Sequence, residues 1–196
     1  MTGPTRFDLD KNIEAIEATA PEGLFTGLRA MTVQSYVEAN VKNGVQHEGS
    51  TLLTLTAGAK NDTILLTGAL PISLKGRFIS YTGDGVQGDI FEAPTYTGGT
   101  DTPYQNPNAI NPVVGLAKII VGASVTDDGV LKFASAYSIG NQSNQGKGSS
   151  ASVLGNERIL KPNTAYLLRL TSLDTSTQQV SSFLTWYEGE LDLPLA

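Results

Sequence analysis

The sequence predicts an all-β protein: an antiparallel, jelly-roll-like β-sandwich preceded by an N-terminal extended arm with a short helix. Three observations predict this fold. From residue 51 onward, eight or so short runs have the composition or the alternation of strands. Turn residues separate these runs, since the 196-residue chain holds 21 Gly and 9 Pro. The best helical spacing lies within the first 50 residues. We therefore expect an arm over residues 1–50 and a sandwich over residues 51–196.

The arm contains one clear helical segment, residues 10–20. Ile13 and Ile16 share a face there, and Pro21 ends the pattern. A helix this short is marginal alone, so we expect it to dock on its own domain or on a neighbouring chain. Residues 28–41 favour extended structure, although their spacing also fits one face of a helix.

The first runs of the sandwich are residues 51–57, 63–67 and 71–82. The last of these alternates clearly and carries Gly76 in its middle, which predicts a β-bulge or a close backbone approach. Residues 83–112 are rich in turns, with only residues 88–93 as a plausible strand.

A loop of that length inside a compact domain is usually functional or lies against a partner. Tyr96 and Tyr104 fall within it, so we interpret it as a candidate interface. Residues 140–152 read as a second, polar loop.

Two hairpins are predicted in the second half. Residues 113–125 and 130–139 flank an Asp128-Gly129 turn, the strongest short-range hairpin signal. Residues 164–173 and 179–193 form a closing hairpin whose strands are apolar on both faces in places. Such strands are covered on both sides, by a second sheet or by another subunit.

Composition excludes several function classes. The charge sum is 13 − 19 = −6, which disfavours nucleic-acid binding because no basic stripe faces phosphates. No cysteine is present, and a single histidine makes a Ser-His-Asp triad or a multi-histidine metal site improbable. The first ten residues lack an apolar core and no run is long enough to span a membrane, so we expect no signal peptide and no membrane partner.

The motifs that resemble catalytic or ligand sites have simpler interpretations. Residues 83–88 match G-x-G-x-x-G, but Pro94 leaves no room for the helix that a dinucleotide site needs. Asp127 and Asp128 fit a turn better than a cation site. His47 is interpreted as a surface or hydrogen-bonded residue. One further pattern is a row of acids that we interpret as a solvated strand face: Glu188, Glu190 and Asp192.

Trp186 and Tyr187 admit two interpretations. Together they could form a stacking platform for a sugar. Their apolar neighbours on the same strand favour a buried core or a subunit interface instead.

Residues 162–171 (PNTAYLLRLT), followed by a short polar turn and residues 182–188 (SFLTWYE), carry a resemblance. This segment is similar to the C-terminal hairpin of structural proteins in tailed-bacteriophage virions, of the head decoration (cement) and head-fibre type. The resemblance covers about residues 160–190.

The resemblance implies a β-sandwich that oligomerises, often as a trimer, on the major capsid protein at the capsid surface, after synthesis in the host cytoplasm. It implies no catalysis, and we expect no cofactor or metal. The alternative is a receptor- or glycan-binding module of a tail fibre or baseplate. The candidate interface residues are Ile13, Ile16, Tyr96, Tyr104, Phe183, Trp186 and Tyr187.

Overall fold

The computed structural model describes residues 36–139, 147–149 and 157–189. The chain divides into two units, residues 1–39 and 40–196. Of the first unit only residues 36–39 are described, at the start of the helix, so the predicted helix over residues 10–20 with Ile13 and Ile16 lies outside the described residues. The β unit begins before the predicted boundary at residue 51, because residue 46 already pairs with residue 187 of the last long strand.

The described part contains one helix and fourteen strands. They are α1 (Tyr36–Lys42), β1 (Gln46–Leu55), β2 (Lys60–Leu66), β3 (Ile72–Tyr81), β4 (Gly85–Glu92), β5 (Thr95–Thr97), β6 (Thr100–Thr102), β7 (Lys118–Val121), β8 (Ser124–Asp127), β9 (Val130–Leu131), β10 (Ala136–Ile139), β11 (Lys147–Ser149), β12 (Arg158–Leu160), β13 (Ala165–Ser172) and β14 (Gln178–Glu188). The prediction of extended structure was wrong for residues 36–41, which are helical. Part of the predicted polar loop forms β11.

The strands form two main antiparallel sheets that pack face to face. One has five strands in the order β1-β14-β3-β11, with β12 also on β3. The other has seven, in the order β10-β4-β13-β2-β7-β6, with β9 also on β4. Strands β5 and β8 form a separate two-stranded sheet. The all-β sandwich is thereby confirmed.

Strand pairing follows the jelly-roll pattern. The chain's first long strand, β1, pairs with its last, β14; β2 pairs with β13, β3 with β12 and β11, and β4 with β10 and β9. This is a chain folded back on itself as one long double ribbon and then rolled into two sheets. The segment from β5 to β8 is an insertion between the two strands of the innermost pair.

Both predicted hairpins are wrong. Strands β13 and β14 lie in different sheets, so the turn between them crosses from one layer to the other. Residues 113–125 and 130–139 do not pair with each other either, because β7 pairs with β2 and β6, β8 with β5, and both β9 and β10 with β4. The Asp127 carboxylate still accepts a hydrogen bond from the Gly129 N–H at 2.9 Å, so the turn itself is confirmed.

The space between the sheets holds two apolar clusters. The larger cluster includes Leu74 and Trp186 from the five-stranded sheet and Leu65, Tyr166 and Leu168 from the seven-stranded sheet. The smaller cluster lies around Ile79, Val86, Leu170 and Val180. Both sheets contribute to each cluster, which is what stabilises one sheet against the other.

Strand β13 is buried on both faces, as its sequence predicts, and the cover comes from this chain alone. Its inner face meets the five-stranded sheet. On its outer face Leu167 is fully buried and Arg169 pairs with Asp128 from the turn before β9. No second subunit is needed to shield this strand.

Candidate interaction surface

A long loop between β6 and β7, residues 103–117, is the most distinctive part of the surface; we call it the docking loop. It lies partly within the stretch that the sequence marked as a candidate interface. Four of its large apolar side chains face solvent: Ile110 is 96% exposed, Val114 87%, Leu116 51% and Val113 47%.

The start of the docking loop is fixed to the edge of the five-stranded sheet. Gln105 and Glu48 of β1 exchange both backbone hydrogen bonds, at 2.9 and 2.8 Å. The Tyr104 ring packs edge-on against Trp186, with ring centres 4.9 Å apart. Its hydroxyl donates to the carbonyl of Ala117 at 3.1 Å, which joins the two ends of the loop.

Two asparagines hold the middle of the loop. The Asn106 side-chain amide donates to the carbonyl of Gly44 at 2.6 Å and to that of Val113 at 3.1 Å. The Asn108 amide donates to the carbonyl of Lys42 at 2.9 Å. The Asn108 side-chain oxygen accepts from the backbone N–H of Ile110 at 3.1 Å. Backbone groups that a loop would otherwise leave to water are therefore paired within the protein.

Glu188, at the end of β14, fixes the far end of the loop. Its carboxylate accepts hydrogen bonds from the backbone N–H groups of Leu116, at 2.6 Å, and Ala117, at 3.3 Å. It also accepts from the indole N–H of Trp186 at 2.9 Å. Glu188 is only 5% exposed, so its interpretation as part of a solvated face was wrong. Glu190 and Asp192 lie outside the described residues.

His47 lies beneath the loop and is 1% exposed, so it is not a surface residue. Its Nε2 is 3.9 Å from Glu188, and its ring meets that of Tyr104. Burial lowers the pKa of His47, an effect that the Glu188 carboxylate partly opposes, so the imidazole is neutral at pH 7. Burial and the same carboxylate raise the pKa of Tyr104 to about 12. Tyr104 and Glu188 join the loop to β14, next to His47 of β1.

A cleft of about 740 Å³ lies at the docking loop, lined by His47, Tyr104, Asn106 and Val114 among others. Its lining mixes apolar side chains with a few polar groups, as the lining of small-molecule pockets of this size does.

The candidate interface residues occupy different places. Trp186 is fully buried, so it forms no exposed stacking platform with Tyr187. Tyr104 is partly buried and packs against Trp186. Tyr96 is half-buried on β5. Phe183 and Tyr187 are half-buried on the outer face of the five-stranded sheet, where Phe183 contacts Phe78 with ring centres 6.0 Å apart.

A second apolar surface, which we call the edge patch, lies on β9 and β10. Val130 is 71% exposed, Leu131 48%, Tyr137 62% and Ile139 77%. Strand β10 is the last strand of the seven-stranded sheet. An exposed apolar edge strand is a ready site for pairing with another chain.

The described residues contain no group of three or more His, Asp or Glu side chains placed to hold a metal ion. Within the same part of the chain, no helix has the length and apolar character needed to cross a bilayer. Comparison with protein-family models, with curated proteins and with solved structures finds no match.

Proposed function

We propose that the chain is a bacteriophage head decoration (cement) protein, which binds the major capsid protein on the outer capsid surface and stabilises the particle. The observation that carries the proposal is the docking loop. Its polar side chains hold it to the body of the sandwich, while Ile110 and Val114 project into solvent. Several exposed apolar side chains on one loop favour an interaction site there.

The fixed shape of the loop favours binding. A flexible loop loses conformational entropy when it docks, and this loss weakens the complex. Here the hydrogen bonds of Asn106, Asn108 and Glu188 order the loop before it meets a partner. The side chains that remain exposed are then free to bury apolar area against the capsid.

Two further features support this assignment. The closing segment, residues 162–188, resembles that of virion structural proteins, and the jelly roll is a fold of viral capsid proteins, although it also occurs in lectins and cupins. The edge patch supports contacts between copies, in keeping with the trimer that the resemblance implies. The net charge of −6 disfavours binding to packaged DNA.

The double variant Ile110→Asp/Val114→Asp tests the docking loop. Both side chains already face water, so we expect its free energy of unfolding to stay within about 0.5 kcal/mol of the wild type. Binding to expanded capsids should fall at least tenfold, because charged carboxylates would be desolvated at the interface. Co-sedimentation with capsids that lack the protein measures the binding.

Leu52→Asp is the matched control. Leu52 is 73% exposed on β1 and is not part of the docking loop. This variant should bind capsids as the wild type does. If the double variant bound capsids as tightly as the wild type, the docking assignment would be contradicted. The same would follow if the wild-type protein bound glycans but not capsids.

A further inference from the structure

An arginine inside the sandwich points to a ligand site separate from the docking loop. A β-bulge at Lys75 shifts the register of β3 against β14: Gly76 lies opposite Thr185, whereas Leu74 lies opposite Trp186. The bulge, which Gly76 predicted from the sequence, reverses the facing of the strand. Before the bulge, Ile72 and Leu74 point into the core, whereas after it Ile79 does. Arg77 lies two residues before Ile79 on the same strand, so it also faces the interior.

Arg77 lines a small cavity between the sheets, with a volume of about 40 Å³. The lining also includes hydroxyl and amide side chains: Thr51, Asn61, Thr63, Thr102 and Ser182. Leu168 of the larger apolar cluster and Leu170 of the smaller one border the same space. A cavity lined by both apolar and polar side chains, Arg77 among them, therefore lies where the two clusters meet.

Arg77 forms no direct ion pair with a carboxylate of the described residues, although Asp89 lies near enough to favour its charge. The Arg77 Nε donates to the Ser182 hydroxyl at 3.3 Å. Asp89 favours its charge from a distance but accepts both hydrogen bonds of the Gln87 amide. Burial and the nearby Arg158 lower the pKa of Arg77 to about 10, so the guanidinium is still protonated at pH 7.

A half-buried cation that has lost part of its hydration and forms no ion pair is unfavourable. Among the described residues Arg77 has one hydrogen-bond acceptor, the Ser182 hydroxyl, and the surrounding hydroxyl groups are neutral and supply no counter-charge. A guanidinium matches the two oxygens of a carboxylate in a bidentate arrangement. The cavity is too small for a larger organic ligand, because a water alone needs roughly 10–15 Å³ by a comparable measure.

We propose that this cavity is a binding site for a small carboxylate anion of the size of formate or acetate, held by Arg77 and Ser182. The bound anion neutralises the guanidinium and ties β3 and β14 to β2 of the facing sheet. Such a ligand binds the folded chain and not the unfolded one, so it raises stability in a saturable way.

Thermal unfolding of the full chain in sodium formate, compared with sodium chloride at equal ionic strength, tests the site. The expected result is a rise in Tm that saturates with formate concentration in the wild type and in the control Lys118→Met, whose side chain is 59% exposed and does not line the cavity. In Arg77→Met the saturable rise should be lost. A formate response that is linear, or equal in wild type and Arg77→Met, would overturn the proposal.

A direct measurement keeps the test independent of whether Arg77→Met folds. The ¹³C resonance of labelled formate should broaden in the presence of wild-type protein and sharpen when unlabelled formate is added in excess. Acetate should compete, whereas the tetrahedral sulfate dianion should compete at least tenfold less well. No broadening at millimolar protein would overturn the site.

Discussion

Replacing Glu188 by alanine is expected to lower the free energy of unfolding by about 3–5 kcal/mol. The buried carboxylate accepts hydrogen bonds from the Trp186 indole and from the backbone N–H groups of Leu116 and Ala117. Removing it leaves all three donors without their acceptor. Glu188→Gln keeps one accepting oxygen and should cost less. Urea unfolding followed by circular dichroism and by the fluorescence of the single tryptophan measures both variants.

Asp101→Ala is the control for Glu188→Ala. Asp101 lies 4.0 Å from Lys118 with both side chains more than half exposed, so its loss should cost less than about 1 kcal/mol. Hydrogen exchange adds a local measurement, since the amides of Leu116 and Ala117 should lose protection first in Glu188→Ala. A stability within about 0.5 kcal/mol of the wild type would show that Glu188 does not anchor the loop.

Replacing Arg169 by alanine is expected to cost about 3 kcal/mol. Its guanidinium makes two hydrogen bonds to Asp62, at 2.7 and 2.8 Å, and two to Asp128, and it lies 5.5 Å over the Phe91 ring. The variant therefore leaves two carboxylates without their cation and uncovers the outer face of β13. This value is the lower end of the roughly 3–5 kcal/mol that breaking a buried ion pair costs. We choose it because Asp128 is 43% exposed. Chemical unfolding at pH 7 measures the loss, with the exposed Lys161→Ala as control.

The ion pair between Arg169 and Asp128 gives the protein a defined sensitivity to acid. Hydrogen bonds from Arg169 lower the pKa of Asp128 in the folded state. A carboxyl group with a lowered pKa stabilises the fold above its unfolded pKa of about 3.9, and this contribution is lost as the pH falls through the folded pKa. The stability difference between wild type and Arg169→Ala should therefore shrink below pH 4. A difference that stays constant down to pH 2 would contradict this assignment.

The sequence predicted the strands better than their partners. Alternation located most of β3 and β14, because it reports which residues face inward along one strand. It does not report the neighbouring strand: Gln46 pairs with Tyr187, across most of the chain. Local turn signals therefore suggested hairpins, whereas the jelly roll pairs strands that are distant in sequence.

The candidate site was also predicted only in part, because local sequence signals mark a loop but not the residues that pack against it. The turn-rich composition of residues 83–112 marked the region of the docking loop, although residues 85–92 form β4 and the exposed apolar side chains include Val114 and Leu116 beyond it. Glu188 was missed because an acid near the end of a strand looks solvated. Its inward facing was readable, since it continues the alternation of Val180, Leu184 and Trp186.

The most direct test of the docking proposal is a cryo-electron microscopy map of the virion that carries this chain. The proposal predicts the jelly roll on the outer capsid surface, in several copies around a symmetry axis, with Ile110 and Val114 of the docking loop buried against the major capsid protein. A map in which the docking loop faces solvent, or in which the chain is located on the tail, would contradict it.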